Sequence, residues 1–144
     1  MTVAAILKHK GHEVISVAPT ATIAEVSRVL TDRRIGAVLV LDVEDQLLGI
    51  VSERDIVHSL AANGSRTLDM TAGQLMTRVV RTVTPRTTVL EAMTAMTGGR
   101  IRHLPVVERG RLIGMISIGD VVKARIMQQD HEVDSLRAYV AGAA

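Results

Sequence analysis

Four residues recur in a pattern that can do chemistry: Ser52 with Asp55, and Ser117 with Asp120. Each pair follows an apolar run and a glycine three positions earlier, Gly49 in one case and Gly114 in the other. A serine at the start of a helix caps it, and an acid three residues on returns the bond. That accounts for the spacing with no ligand at all. The same geometry also suits a nucleotide. A helix N-terminus presents free N–H groups and a positive dipole end to phosphate. A carboxylate on that first turn accepts bonds from the vicinal hydroxyls of a ribose, as acids do in dinucleotide folds. The glycines suit a close backbone approach or a bend at a strand end. From spacing alone, cap and ligand stay open.

The elements that must position these pairs occur twice. Gly49-Ile50-Val51-Ser52-Glu53-Arg54-Asp55-Ile56-Val57 returns 65 positions later as Gly114-Met115-Ile116-Ser117-Ile118-Gly119-Asp120-Val121-Val122. Thr22-Ile23-Ala24-Glu25 returns 66 positions later as Thr88-Val89-Leu90-Glu91. In the first copy, Val14 to Val17 reads as a strand stopped by Pro19. Thr22 then caps a helix that ends near Arg33-Arg34. Gly36 to Leu41 and Leu47 to Val51 form a hairpin around a polar turn, and Ser52 opens a helix to Asn63-Gly64. The second copy predicts a strand over Val79 to Val83 and a helix from Thr88 stopped at Gly98-Gly99. Strands Arg102 to Val107 and Leu112 to Ile116 follow, then a helix from Ser117. The expected fold is α+β: two β-α-β-β-α repeats packed with pseudo-two-fold symmetry, their small sheets covered by helices. The expected division is 1–66 for the first repeat with the N-terminal segment, 67–125 for the second, and 126–144 for a helical tail. Met70 to Met76 bridges the copies, and the tail is amphipathic and reads as a dimer contact, with folding back on its own core as the alternative.

Composition removes several classes of function. The 144 residues include no cysteine, which excludes disulfides, thiolate metal sites and cysteine nucleophiles and is compatible with a reducing cytoplasm. Tyr139 is the single aromatic residue, so the chain has almost nothing on which to stack the bases of single-stranded nucleic acid, and that class loses ground. A formal charge of +2 gives weak attraction to nucleic acid or membrane. No apolar run approaches the roughly 18 residues of a membrane span. Val3 to Leu7 precedes Lys8-His9-Lys10, the reverse of a secretory signal. His9 and His12 read as part of a solvated basic segment, His58 as a partly buried helix residue and His131 as exposed. No phosphate-binding glycine loop or nucleophile elbow is present, so an enzyme is not expected.

The Gly-Ile-Val-Ser-x-Arg-Asp-Ile-Val run and Arg102-His103-Leu104-Pro105-Val106-Val107, set in two copies of this script, resemble the cystathionine-β-synthase (CBS) domain family. The resemblance runs from about Val3 to Arg125. Tandem pairs of this kind, called Bateman modules, typically bind adenosine nucleotides in clefts between the repeats and regulate an attached or partner protein. They occur in inosine monophosphate dehydrogenase, chloride channels and the γ subunit of the AMP-activated kinase; this chain is similar to the stand-alone bacterial type. The resemblance implies that Asp55 and Asp120 hold ribose hydroxyls and that Ser52 and Ser117 contact ribose or phosphate. It puts Arg54, Arg81, Arg102 and His103 toward phosphate, and Ile15, Gly36 and Ala37 around an adenine. The implied ligand is AMP, with ADP, ATP or NAD(H) as the other candidates. The implied assembly is a homodimer through helices, acting on an unidentified regulated protein, with no nucleic-acid or membrane partner. The copies differ: Gly119 stands where the first has Arg54, and Gly36-Ala37 where the second has Arg102-His103. At least one well-formed pocket is expected, with the second cleft weaker or empty, and the alternative is a scaffold dimer with vestigial pockets.

Overall fold

The structure is a computed structural model that describes residues 1–78 and 80–143, with the side chain of Ala143 left aside. The chain forms two compact units, Glu13–Arg81 and Met1–His12 with Thr82–Ala144.

In the first unit, β1 (Ser16–Val17) pairs in parallel with β2 (Ala37–Leu41), and β2 pairs antiparallel with β3 (Leu47–Ser52). Helix α2 (Ile23–Arg33) connects β1 to β2, and α3 (Glu53–Asn63) leaves from the end of β3. Thr22 caps α2 by accepting the Glu25 N–H at 3.2 Å. Every third or fourth residue of α2, at Ile23, Val26 and Leu30, is buried against Val38, Val40 and Val51 of the sheet. The strands carry β-branched residues on the face that the helices cover, which is where such residues pack best. Beyond α3, a 3-10 segment (Gly64–Asp69) is fastened by buried Thr67, whose hydroxyl lies 2.8 Å from that of Ser59 on α3.

The second unit repeats the plan. Helix α5 (Val89–Gly99) precedes the hairpin of β4 (His103–Glu108) and β5 (Arg111–Ser117), from which α6 (Ile118–Ala143) departs. Both hairpins carry a register shift at equivalent points, Val40/Leu41 and Val106/Val107. The β4–β5 turn has positive φ at Arg109 and Gly110, the two-residue turn that matches strand twist. The strand expected over Val79 to Val83 is reduced to a single parallel bridge, Val83 to Val106. Val79 itself lies outside the described residues. Helix α5 runs through Gly98-Gly99, and the left-handed stop is Arg100, the counterpart of Arg34 on α2.

The expected division placed the N-terminal segment with the first repeat, and the structure does otherwise. Helix α1 (Val3–Lys10) buries Val3, Ile6 and Leu7 in the core of the second unit, with Val89, Met96, Leu104 and Ile116. The first unit has its own equivalent, α4 (Ala72–Leu75), capped reciprocally by Thr71 and Gln74. The hydrogen bonds correspond one for one. Val3 N–H donates to Thr87 O and Val89 N–H to Met1 O, just as Ala72 N–H donates to Ala21 O and Ile23 N–H to Met70 O. Each unit is therefore completed by the segment that precedes the other repeat in sequence.

Candidate functional site

Each unit builds the same corner from three elements. In the first, β2 begins at Ala37 directly opposite Ser52, the last residue of β3. The Glu53 N–H then donates to Gly36 O at 2.9 Å, fixing the start of α3 against the start of β2. In the second, His103 is opposite Ser117, and the Ile118 N–H donates to Arg102 O at 2.8 Å. Gly36-Ala37 and Arg102-His103 thus hold equivalent places. Gly36, Ala37, Ser52, Arg54 and Asp55 are brought together in one unit, and Arg102, His103, Ser117 and Asp120 in the other.

The serine–aspartate pairs are formed capping boxes. Asp55 Oδ2 accepts from the Ser52 N–H at 2.8 Å and from the Ser52 hydroxyl at 3.0 Å, while Ser52 Oγ accepts the Asp55 N–H at 3.2 Å. Asp120 Oδ2 accepts from the Ser117 N–H at 2.8 Å, and Ser117 Oγ accepts the Asp120 N–H at 3.2 Å. These bonds use Oδ2 and hold each half-buried carboxylate at the first turn of its helix, at the positive end of the helix dipole.

The second corner contains a residue that sequence reasoning missed. Lys10, at the end of α1, places Nζ 2.7 Å from Asp120 Oδ2 and 3.0 Å from Met115 O. Burial pushes the Asp120 carboxyl up, but Lys10 and the Ser117 amide overcome it and hold the group below the ordinary carboxylate value. The Lys8-His9-Lys10 run was visible in the sequence; what hid its role was the exchange that seats α1 in the second unit. His12 joins it there, its ring Nδ1 lying 2.8 Å from Ile113 O.

Other expected residues fall outside these corners. Ile15 precedes β1, and its carbonyl is occupied by the Leu39 N–H at 3.2 Å, so that backbone edge serves the sheet. Arg81 is exposed in coil at the end of the first unit. His58 is exposed on α3 rather than partly buried. The glycines serve packing. A Cβ at Gly49 would lie 2.7 Å from Thr77 O and from Met76 Sδ, and one at Gly114 would lie 2.8 Å from Leu7 Cδ2. They are where α4 and α1 cross the strands. Among the described residues no group of acids and histidines could hold a metal ion, and no helix is long and apolar enough to cross a membrane.

Two copies of a hairpin flanked by helices, each with a capped serine–aspartate corner, define a tandem module of repeated α+β domains. The sequence profile of the CBS domain matches residues 5–62 and again 72–127, and the chain belongs to that family as a tandem pair, a Bateman module. It is 38% identical over 125 residues to a mitochondrial CBS domain-containing protein of Arabidopsis thaliana, covering 84% of this chain and 61% of that one. The chain thus spans about three fifths of that relative's length. Its fold matches the crystal structure of a CBS-domain containing protein from Agrobacterium tumefaciens, with 44% identity, a TM-score of 0.84, and coverage of 86% of this chain and 92% of that one. It also matches a CBS domain protein from Pyrobaculum aerophilum complexed with AMP, with 30% identity, a TM-score of 0.73, and coverage of 83% and 89%.

Proposed function

We propose that this chain is a regulatory adenosine-nucleotide sensor, with AMP as its first candidate ligand and ATP or NAD(H) as the others. The observation that carries the reading is the paired corner: a carboxylate pinned by a cap at a helix N-terminus, twice, in a family with an AMP-bound member of 30% identity. Asp55 and Asp120 accept the ribose hydroxyls; Ser52 and Ser117 contact ribose or phosphate. Arg54, Arg102 and His103 stand at the corners as phosphate partners, Arg81 is a more distant one, and Gly36 and Ala37 with Ile15 line the base. The chain acts without catalysis, as a cytoplasmic homodimer joined through its helices and tail, and shifts the behaviour of a partner protein by binding its ligand differently in two states.

Lys10 favours a second reading for one corner. The ammonium already compensates Asp120, so that corner is the weaker ligand site or serves only as a cap. Calorimetric titration of AMP, ADP, ATP and NADH into the wild type, Asp55→Asn and Asp120→Asn separates these outcomes. Asparagine keeps most of the capping. The sensor reading expects tight binding of at least one ligand and a loss of about tenfold or more in Asp55→Asn. Absence of heat from every ligand, with nothing released on denaturing the purified protein, would leave the scaffold reading.

A further inference from the structure

Helix α6 carries an apolar stripe that its own unit does not cover. Val121 and Ala124 face the core, and every residue from Gln129 to Gly142 is exposed. Folding back on the core is therefore not the fate of this tail. Ile126, Val133 and Val140 recur every seven residues, and Val122, Gln129 and Leu136 do the same. At 3.6 residues per turn these six positions fall within a sector of about 80°, about a quarter turn from the Val121 face. Ile126, Val133, Leu136 and Val140 are 52, 47, 63 and 60% exposed. The stripe begins in an open groove of about 400 Å³ lined by α6 side chains alone, among them Val122, Ile126 and Met127. One helix cannot close such a groove, but a second helix can.

The spacing alternates in the a and d manner of a two-stranded coiled coil, with β-branched Ile126, Val133 and Val140 at a and Val122, Gln129 and Leu136 at d. The flanks select the occupant. Arg125 and Glu132 lie on one side of the stripe, Asp130 and Arg137 on the other. In a parallel pair each residue of the first flank meets the residue five further on in the other helix. Arg125 then faces Asp130 and Glu132 faces Arg137, an attraction in every case, formed twice by symmetry. An antiparallel pair with Val133 opposite Leu136 satisfies Asp130 with Arg137 but sets Glu132 against Tyr139. We infer that the α6 tail docks on the α6 tail of a second copy of this chain as a short parallel coiled coil, with Gln129 as the polar layer that fixes its register. This deepens the homodimer reading above and rests on it.

The chain has no cysteine, so single-cysteine variants report cleanly. Val140→Cys in full-length protein, held in a glutathione redox buffer, is expected to form a disulfide-linked dimer. The antiparallel pairing would leave the two thiols about 16 Å apart along the axis. Sedimentation is expected to show Arg137→Glu weakening the dimer about tenfold and the swap Glu132→Arg with Arg137→Glu restoring it. A dimer that ignores Arg137→Glu and leaves Val140→Cys unlinked overturns the tail seam while the homodimer stands. A dimer weakened by Arg137→Glu but not restored by the swap overturns the parallel arrangement. A wild type that sediments as a monomer overturns both readings.

Discussion

Lys10 makes two otherwise matching carboxylates unequal. Its ammonium and the Ser117 amide keep Asp120 ionised to lower pH than an ordinary carboxylate. A depressed pKa in the folded chain contributes stability above the unfolded value, and that contribution is lost as pH falls through the folded one. Lys10→Met is therefore expected to cost less than about 1 kcal/mol at pH 7, as for a partly exposed pair, and nothing once Asp120 is protonated. Urea denaturation at neutral and acid pH checks this; an equal loss at both would assign the effect to packing. The glycines give a second contrast. Gly49→Ala drives a Cβ against the Thr77 carbonyl, whereas Gly114→Ala meets only the movable end of Leu7. The first is expected to destabilise by about 1–3 kcal/mol and the second by less, and reversal of that order by denaturation would contradict the crossing geometry. The serine–aspartate pairs were legible because capping is local and fixed by a three-residue spacing. The Lys10 contact was not, because its partner lies 110 residues away.

Among the elements, helices and hairpins followed from the sequence, because apolar periodicity and caps act within a dozen residues. Both hairpins and α2, α3 and α5 lie where the pattern put them, within a residue or two. The failures are at segments whose structure is decided elsewhere. Val80 to Thr82 carries no ladder of its own, and only Val83 reaches β4. Helix α1 is short, and a helix of eight residues is marginal in water without a surface to cover. Its place is set by the second unit's core. Leu7→Ala is expected to cost about 2–5 kcal/mol, as much as removing a central core leucine, although the residue sits near the chain start. A loss under about 1 kcal/mol in chemical denaturation would show that α1 is a loose arm.

At the scale of the whole chain, the duplication explains both the clear and the obscure features. A repeated unit announces itself in sequence, so the tandem α+β plan was readable before any coordinates. The exchange of completing segments was not, since either assignment of residues 1–12 satisfies the same local pattern. Within each unit the hairpin sets Ala37 opposite Ser52 and His103 opposite Ser117, because strand pairing fixes both ends of that contact. Arg81 lies in coil, outside any strand. The two corners are related but unequal, since Lys10 bonds Asp120 in the second.

The most direct test of the central claim is a calorimetric comparison of AMP with its 2′,3′-dideoxy analogue on the wild-type protein. Carboxylates that grip the vicinal hydroxyls predict measurable AMP binding and a loss of at least about tenfold for the dideoxy compound, the worth of a hydrogen bond to a charged acceptor. Equal affinity for the two would contradict the ribose role of Asp55 and Asp120 and return both to the simple work of capping their helices.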